Sequence, residues 1–247
     1  MDEPHAMPEN DARSILIVDD EVDACENLRD ILTDLGYRVA VARNGPEAIE
    51  QVARSGFDIA LLDLKMPGMD GVSVYRQIKR LRPETVAIVV SAFSGSELAD
   101  RAVEEGAAQI VAKPVDVPQL LAAIEASLAQ PLVLVVDDDA DFCQNLWQIL
   151  CKRGYRLALA HSAEEARRQL ATKSFHVVLI DLKLPGPQGG EDVFRIVRQT
   201  NPHTRRILMT GFREESLDTI QSLVDQGVDA VCYKPIDVDN LLNMLSG

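Results

Sequence analysis

Two doubly wound α/β domains, each a (βα)5 unit around a five-stranded parallel sheet, are what this 247-residue sequence predicts. Three observations carry the prediction. In each half of the chain, five short apolar runs alternate with five amphipathic stretches, the pattern of parallel strands joined by crossover helices. In the first half the first, third and fourth runs are continuously apolar after at most one leading polar residue, which suits strands covered on both faces. The chain also repeats itself: a shift of 118 positions lays Asp63-Leu64-Lys65-Met66-Pro67-Gly68 on Asp181-Leu182-Lys183-Leu184-Pro185-Gly186, and Asp19-Asp20 on Asp137-Asp138. A period that long is a whole small domain, not a solenoid unit.

The elements follow in order. Residues 1–13 are polar, hold two prolines and lack periodicity, so a disordered tail is expected there. Strands are expected at 14–18, 38–42, 58–62, 86–90 and 109–112. Cys25, Leu28, Ile31, Leu32 and Leu35 recur at helical spacing on one face, and Gly36 stops that helix. Further helices are expected at about 45–54, 71–81, 95–105 and 117–128. The second half repeats the series, with strands at 132–136, 156–160, 176–180, 205–209 and 229–233. Its helices fall at about 140–153, 162–172, 190–200, 213–226 and 238–246. Only Ala129-Gln130-Pro131 separates the last helix of one half from the first strand of the next, so domains are expected at 14–129 and 130–247. Right-handed crossovers put helices on both faces of each sheet. Ligands then bind outside the carboxyl ends of the strands, at the topological switch point.

Composition narrows the function. The net charge is −14, with 12 Lys/Arg against 23 Asp/Glu in residues 1–129 and 13 against 16 in residues 130–247. No basic stripe is present to neutralise phosphates, which argues against direct nucleic-acid binding. No apolar run reaches membrane-spanning length and no signal peptide is legible, so no membrane partner and a cytoplasmic location are expected. Cys25 and Cys143 occupy equivalent positions on apolar helix faces; with Cys151 and Cys232 they are expected to be core thiols. His5, His161, His176 and His203 form no cluster and share no repeat position, and are read as surface or structural.

The polar residues at strand ends carry the chemistry. Asp19 and Asp20 end the first strand, Asp63 the third, Ser91 the fourth, and Lys113, before Pro114, the fifth. The second half supplies Asp137, Asp138, Asp181, Thr210 and Lys234, before Pro235. A parallel sheet brings all of these to one edge. Crowded carboxylates raise one another's pKa, and a hard cation such as Mg²⁺ relieves the repulsion. With a lysine and a hydroxyl alongside, such an edge suits phosphoryl transfer to an aspartate nucleophile. An aspartate at a strand end can merely cap the next helix; the full set, present twice, argues against that reading.

Here the sequence resembles the receiver domain of two-component response regulators. Ile-Leu-Ile-Val-Asp-Asp-Glu, Asp-Leu-Lys-Met-Pro-Gly-Met-Asp-Gly, Val-Ser-Ala-Phe and Lys-Pro occur in order over about residues 14–128, and the series recurs over about 132–246. The resemblance implies two flavodoxin-like (receiver-type) folds. It implies that Asp63 and Asp181 accept phosphate from a phosphohistidine on a sensor histidine kinase or a histidine phosphotransfer protein. Asp20 and Asp138 would ligate Mg²⁺ directly, Asp19 and Asp137 would assist through water, and the carbonyls of Lys65 and Lys183 would complete the protein ligands. Ser91 and Thr210 would bond a phosphoryl oxygen, and Lys113 and Lys234 would pair with the acyl phosphate. The Lys-Pro bonds would be cis. Self-phosphorylation and slow autodephosphorylation would be the only chemistry, and pairing into a homodimer is an open alternative.

The chain departs from the family in three places. Ile110 and Val231 stand three residues before the lysines, where the family often has Tyr or Phe as a rotamer switch; core packing is the plain alternative. Asp63 to Ser91 spans 28 positions but Asp181 to Thr210 spans 29, with the extra residue near Gly186–Gly190. Ser91 to Lys113 spans 22 positions but Thr210 to Lys234 spans 24. Asp181 is therefore expected to be phosphorylated more slowly than Asp63, or by another donor. No output domain is legible, which leaves a free-standing relay, a tandem regulator acting by protein contacts, or a fragment of a hybrid sensor kinase. The rivals are a scaffold that is not phosphorylated and a metal-dependent hydrolase of similar topology; adjacent aspartates on the first strand, rather than Asp-x-Asp, speak against the hydrolase.

Overall fold

The computed structural model describes residues 13–92, 95–186, 189–211 and 217–246. The expected tail lies outside the described residues except for Arg13. The chain divides into two compact units, Met1–Gln130 and Pro131–Gly247. Within the first unit the order is β1 (Ser14–Val18), α1 (Val22–Asp34), β2 (Arg38–Ala42), α2 (Gly45–Arg54), β3 (Ile59–Leu62), α3 (Gly71–Leu81), β4 (Val86–Ser91), α4 (Glu97–Glu104), β5 (Gln109–Ala112) and α5 (Val117–Leu128). The second continues with β6 (Leu132–Val136), α6 (Ala140–Cys151), β7 (Arg156–Ala160), α7 (Ala163–Leu170), β8 (Val177–Asp181), α8 (Gly190–Thr200), β9 (Arg205–Gly211), α9 (Leu217–Asp225), β10 (Ala230–Lys234) and α10 (Val238–Ser246).

The first sheet has the order β2-β1-β3-β4-β5 and the second β7-β6-β8-β9-β10, with every pairing parallel. The strand order reverses between β1 and β3, and between β6 and β8, so each sheet has its switch point there. The continuous apolar runs are explained by alternation across two covered faces. Leu16 and Val18 join a cluster with Val52, Val72, Ile78 and Ala99, under α2, α3 and α4. Ile15 and Ile17 join Cys25, Leu32, Leu120 and Ile124, under α1 and α5. In the second unit Leu134 and Val136 share a cluster with Ala166 and Phe194, while Val133 and Val135 pack with Cys143, Trp147 and Leu241.

Differences from the expected elements are local. β9 runs two residues past 209, because Thr210 and Gly211 stay in register with Tyr233 and Lys234. Leu35, placed on the buried face of α1 by its spacing, is 53% exposed, because it is the C-cap residue and the chain turns away at Gly36. Part of the segment expected to begin the helix at 213–226 lies outside the described residues; α9 is described from Leu217.

Candidate acidic site

The backbone delivers the site residues to the carboxyl edge of each sheet. β1 stops at Val18, so Asp19 and Asp20 begin the β1–α1 turn; β3 stops at Leu62, so Asp63 begins the next. Asp181, by contrast, is the last residue of β8. Asp19, Asp20 and Asp63 offer oxygens that all lie within 4.8 Å of one another, and Asp137, Asp138 and Asp181 repeat the arrangement. Asp20 and Asp138 are exposed, while the Asp19 and Asp63 side chains keep only 10% and 12% exposure. An oxygen-only set with one solvent-facing member fits a hard divalent cation that retains water.

A lysine closes each cluster. Lys113 Nζ lies 2.5 Å from Asp19 Oδ2 and 3.0 Å from Asp63 Oδ2. Lys234 Nζ lies 2.6 Å from Asp137 Oδ2 and 3.0 Å from Asp181 Oδ2. Burial opposes both ammonium groups, but the hydrogen bonds to the two carboxylates outweigh it and hold each lysine above its ordinary pKa. Burial also pushes the Asp137 carboxyl up, against the pull of Lys234. The second oxygens are spoken for as well. Asp63 Oδ1 accepts from the Lys65 N–H at 3.3 Å and Asp181 Oδ1 from the Lys183 N–H at 3.1 Å. Asp19 Oδ1 accepts from the Glu21 N–H and Asp137 Oδ1 from the Asp139 N–H, both at 3.0 Å. The Lys113–Pro114 and Lys234–Pro235 peptide bonds are both cis.

Ser91, the last residue of β4, and Thr210, the last but one of β9, are fully buried, and Thr210 Oγ1 donates to the Gly211 carbonyl at 3.2 Å. Lys113 is tied to Ser91 through the backbone, its N–H donating to the Ser91 carbonyl at 3.0 Å. Ile110 is half-buried and packs against the core cluster under α2–α4, and Val231 is also half-buried. Cys25 and Cys143 are buried free thiols whose Sγ atoms reach the backbone carbonyls of Asp19 and Asp137 at 3.5 Å.

Four residues beside the site escaped the sequence reading. Gly71 has no room for a side chain: a Cβ there would sit 2.2 Å from the Asp63 carbonyl oxygen, and one at Gly190 would sit 2.2 Å from that of Asp181. The repeat shift alone does not pick out the pair, since Gly71 lies eight positions after Asp63 and Gly190 nine after Asp181. His161 is a neighbour of the site, with Nδ1 3.1 Å from the Asp137 carbonyl oxygen. Phe142 places its ring over Lys234, 4.6 Å from Nζ to the centroid, where the repeat shift gives Ala24 in the first unit. The length differences of the second half fall partly on Pro187, Gln188 and residues 212–216, which lie outside the described residues. Among the described residues no helix is long and apolar enough to cross a membrane.

Comparison with known proteins agrees with this geometry. A response regulator receiver protein of Anaeromyxobacter is 35% identical over 94% of this chain and 93% of its own length. The transcriptional regulatory protein ZraR of Escherichia coli is 38% identical over 49% of this chain, which spans only 27% of that relative. A CheY-like receiver domain protein from Methanospirillum hungatei, known from its crystal structure, is 31% identical over 47% of this chain and 94% of its own, with a TM-score of 0.46. The response regulator receiver domain family matches residues 15–125 and again 133–246. The chain therefore belongs to the response regulator receiver family of two-component signalling and carries that domain twice in tandem.

Proposed function

We propose that the chain is a tandem phosphoacceptor in a phosphorelay, with receiver domains at 14–129 and 130–247, and that Asp63 and Asp181 take phosphate from a phosphohistidine of a sensor histidine kinase or a histidine phosphotransfer protein. The observation that carries this reading is the lysine bridge. In both units one ammonium touches an acidic-pair aspartate and the acceptor aspartate at nearly the same distances. A structural ion pair has no need of the third carboxylate that both clusters also hold. Asp20 and Asp138 would hold Mg²⁺ directly, with Asp19 and Asp137 acting through water and the Lys65 and Lys183 carbonyls completing the set. When bound, the metal supplies positive charge to spread over a transferring phosphoryl group.

The chain's own residues do the rest. The Lys65 and Lys183 N–H groups orient the acceptor carboxylates. Lys113 and Lys234 would pair with the acyl phosphate once it forms. Ser91 and Thr210 would turn toward a phosphoryl oxygen and bias a two-state equilibrium of their unit. Output passes through protein contacts or onward transfer of phosphate, from a cytoplasmic location and without nucleic-acid or membrane binding; pairing into a homodimer is compatible with this reading. Beryllofluoride with Mg²⁺ tests it: the thermal midpoint is expected to rise in the wild type and not in the Asp63→Asn/Asp181→Asn double variant. A wild type that does not respond would instead be a scaffold.

A further inference from the structure

The two lysines are held differently. Lys113 borders a cavity of about 390 Å³ whose lining includes Asp19, Ala24, Asn27, Leu28 and Pro114, so its side chain has space beside α1. Phe142 stands at the position equivalent to Ala24, its ring against the Lys234 ammonium. The backbone that carries the ring is anchored. Asp139 caps α6 by accepting from the Phe142 N–H at 2.9 Å, and Phe142 packs against the core cluster that holds Cys143 and Leu146. The N-cap of α1, Glu21, makes no such side-chain bond.

We propose that Phe142 is a positioning residue that clamps Lys234 in its resting contact with Asp181 and makes Asp181 the slower acceptor of the two. This rests on the phosphoacceptor reading above. For Asp181 to attack, one carboxylate oxygen must form a bond to phosphorus while the bond from phosphorus to the leaving group breaks. With acetyl phosphate the electron pair leaves on acetate, and no proton moves. Asp181 Oδ2 is engaged by Lys234 at 3.0 Å, so the ammonium must yield that oxygen or shift with the arriving phosphoryl group. A ring contact made at rest and weakened as the ammonium shifts is a differential contact, and it slows the step.

The test uses the full chain with acetyl phosphate and Mg²⁺, measuring phosphate on each aspartate separately by peptide mapping. Phe142→Leu keeps the apolar volume and removes the ring; it is expected to speed Asp181 about threefold to tenfold. Phe142→Tyr, which keeps the ring, brings the slow rate back. Ala24→Phe is expected to slow Asp63 by a similar factor. Without metal or turnover, the Lys234 Cε methylene signals should be displaced by the ring current in the wild type and the Tyr variant, and relax in the Leu variant. An unchanged or lower Asp181 rate in Phe142→Leu, or Tyr behaving like Leu, overturns the clamp alone. A wild type that takes phosphate on neither aspartate overturns the proposed function, and the clamp's kinetic role with it.

Discussion

At the scale of single residues, the lysines are what let three carboxylates crowd one edge. Lys113 is half-buried and paired twice, so its removal strands Asp19 and Asp63 together. Lys113→Ala is expected to cost the metal-free protein about 1–3 kcal/mol in urea unfolding. Added Mg²⁺ should narrow that deficit, and an equal deficit with and without Mg²⁺ would contradict the metal assignment. The thiols beneath the acidic turns give a pH signature. Burial, then the Asp19 charge, pushes Cys25 up to about 11; burial, then the Asp137 charge, pushes Cys143 up to about 12, both from 9.0. A proton held more tightly in the folded state stabilises fully below the unfolded pKa and is lost as pH rises through the folded one. Stability should therefore fall on the alkaline side, from pH 9.0 up through about 11 and about 12. The slope approaches about 1.4 kcal/mol per pH unit for each thiol. Urea midpoints across that range check this, and Cys143→Ala should flatten the slope.

At the scale of elements, strands were legible because their residues face two apolar layers, and pattern alone reports that. Five of the ten, β1, β2, β5, β6 and β7, begin and end where the sequence places them. Helix faces were less so. Leu35 matches the α1 spacing but lies at the C-cap, and spacing does not say where a helix ends. Close backbone approach is also invisible to pattern, which shows Gly71 and Gly190 only as the first residues of expected helices. Gly71→Ala forces a Cβ against a backbone carbonyl that cannot yield. It is expected to cost about 1–3 kcal/mol and to lower phosphate uptake at Asp63 while sparing Asp181. Peptide mapping after acetyl phosphate treatment reads the second effect; equal loss at both aspartates would contradict it.

At the scale of the whole molecule, duplication made the site legible. One aspartate on a turn says little, whereas three aspartates and a lysine, present twice, are gathered at the edge of each sheet. The inequality of the copies was legible only as loop length; the ring over Lys234 needed coordinates, because Phe142 reads from sequence as one more apolar helix residue. The charge is also a property of the whole chain. At a net −14 it is expected not to shift duplex DNA in a gel at physiological salt, and binding that weakens steeply with added salt would contradict that. Two aspartates, and only those two, are expected to accept phosphate. Intact-mass analysis after acetyl phosphate and Mg²⁺ treatment should find up to two phosphoryl groups on the wild type, one on Asp63→Asn, one on Asp181→Asn and none on the double variant. An unmodified wild type, or a double variant that still gains phosphate, would contradict it.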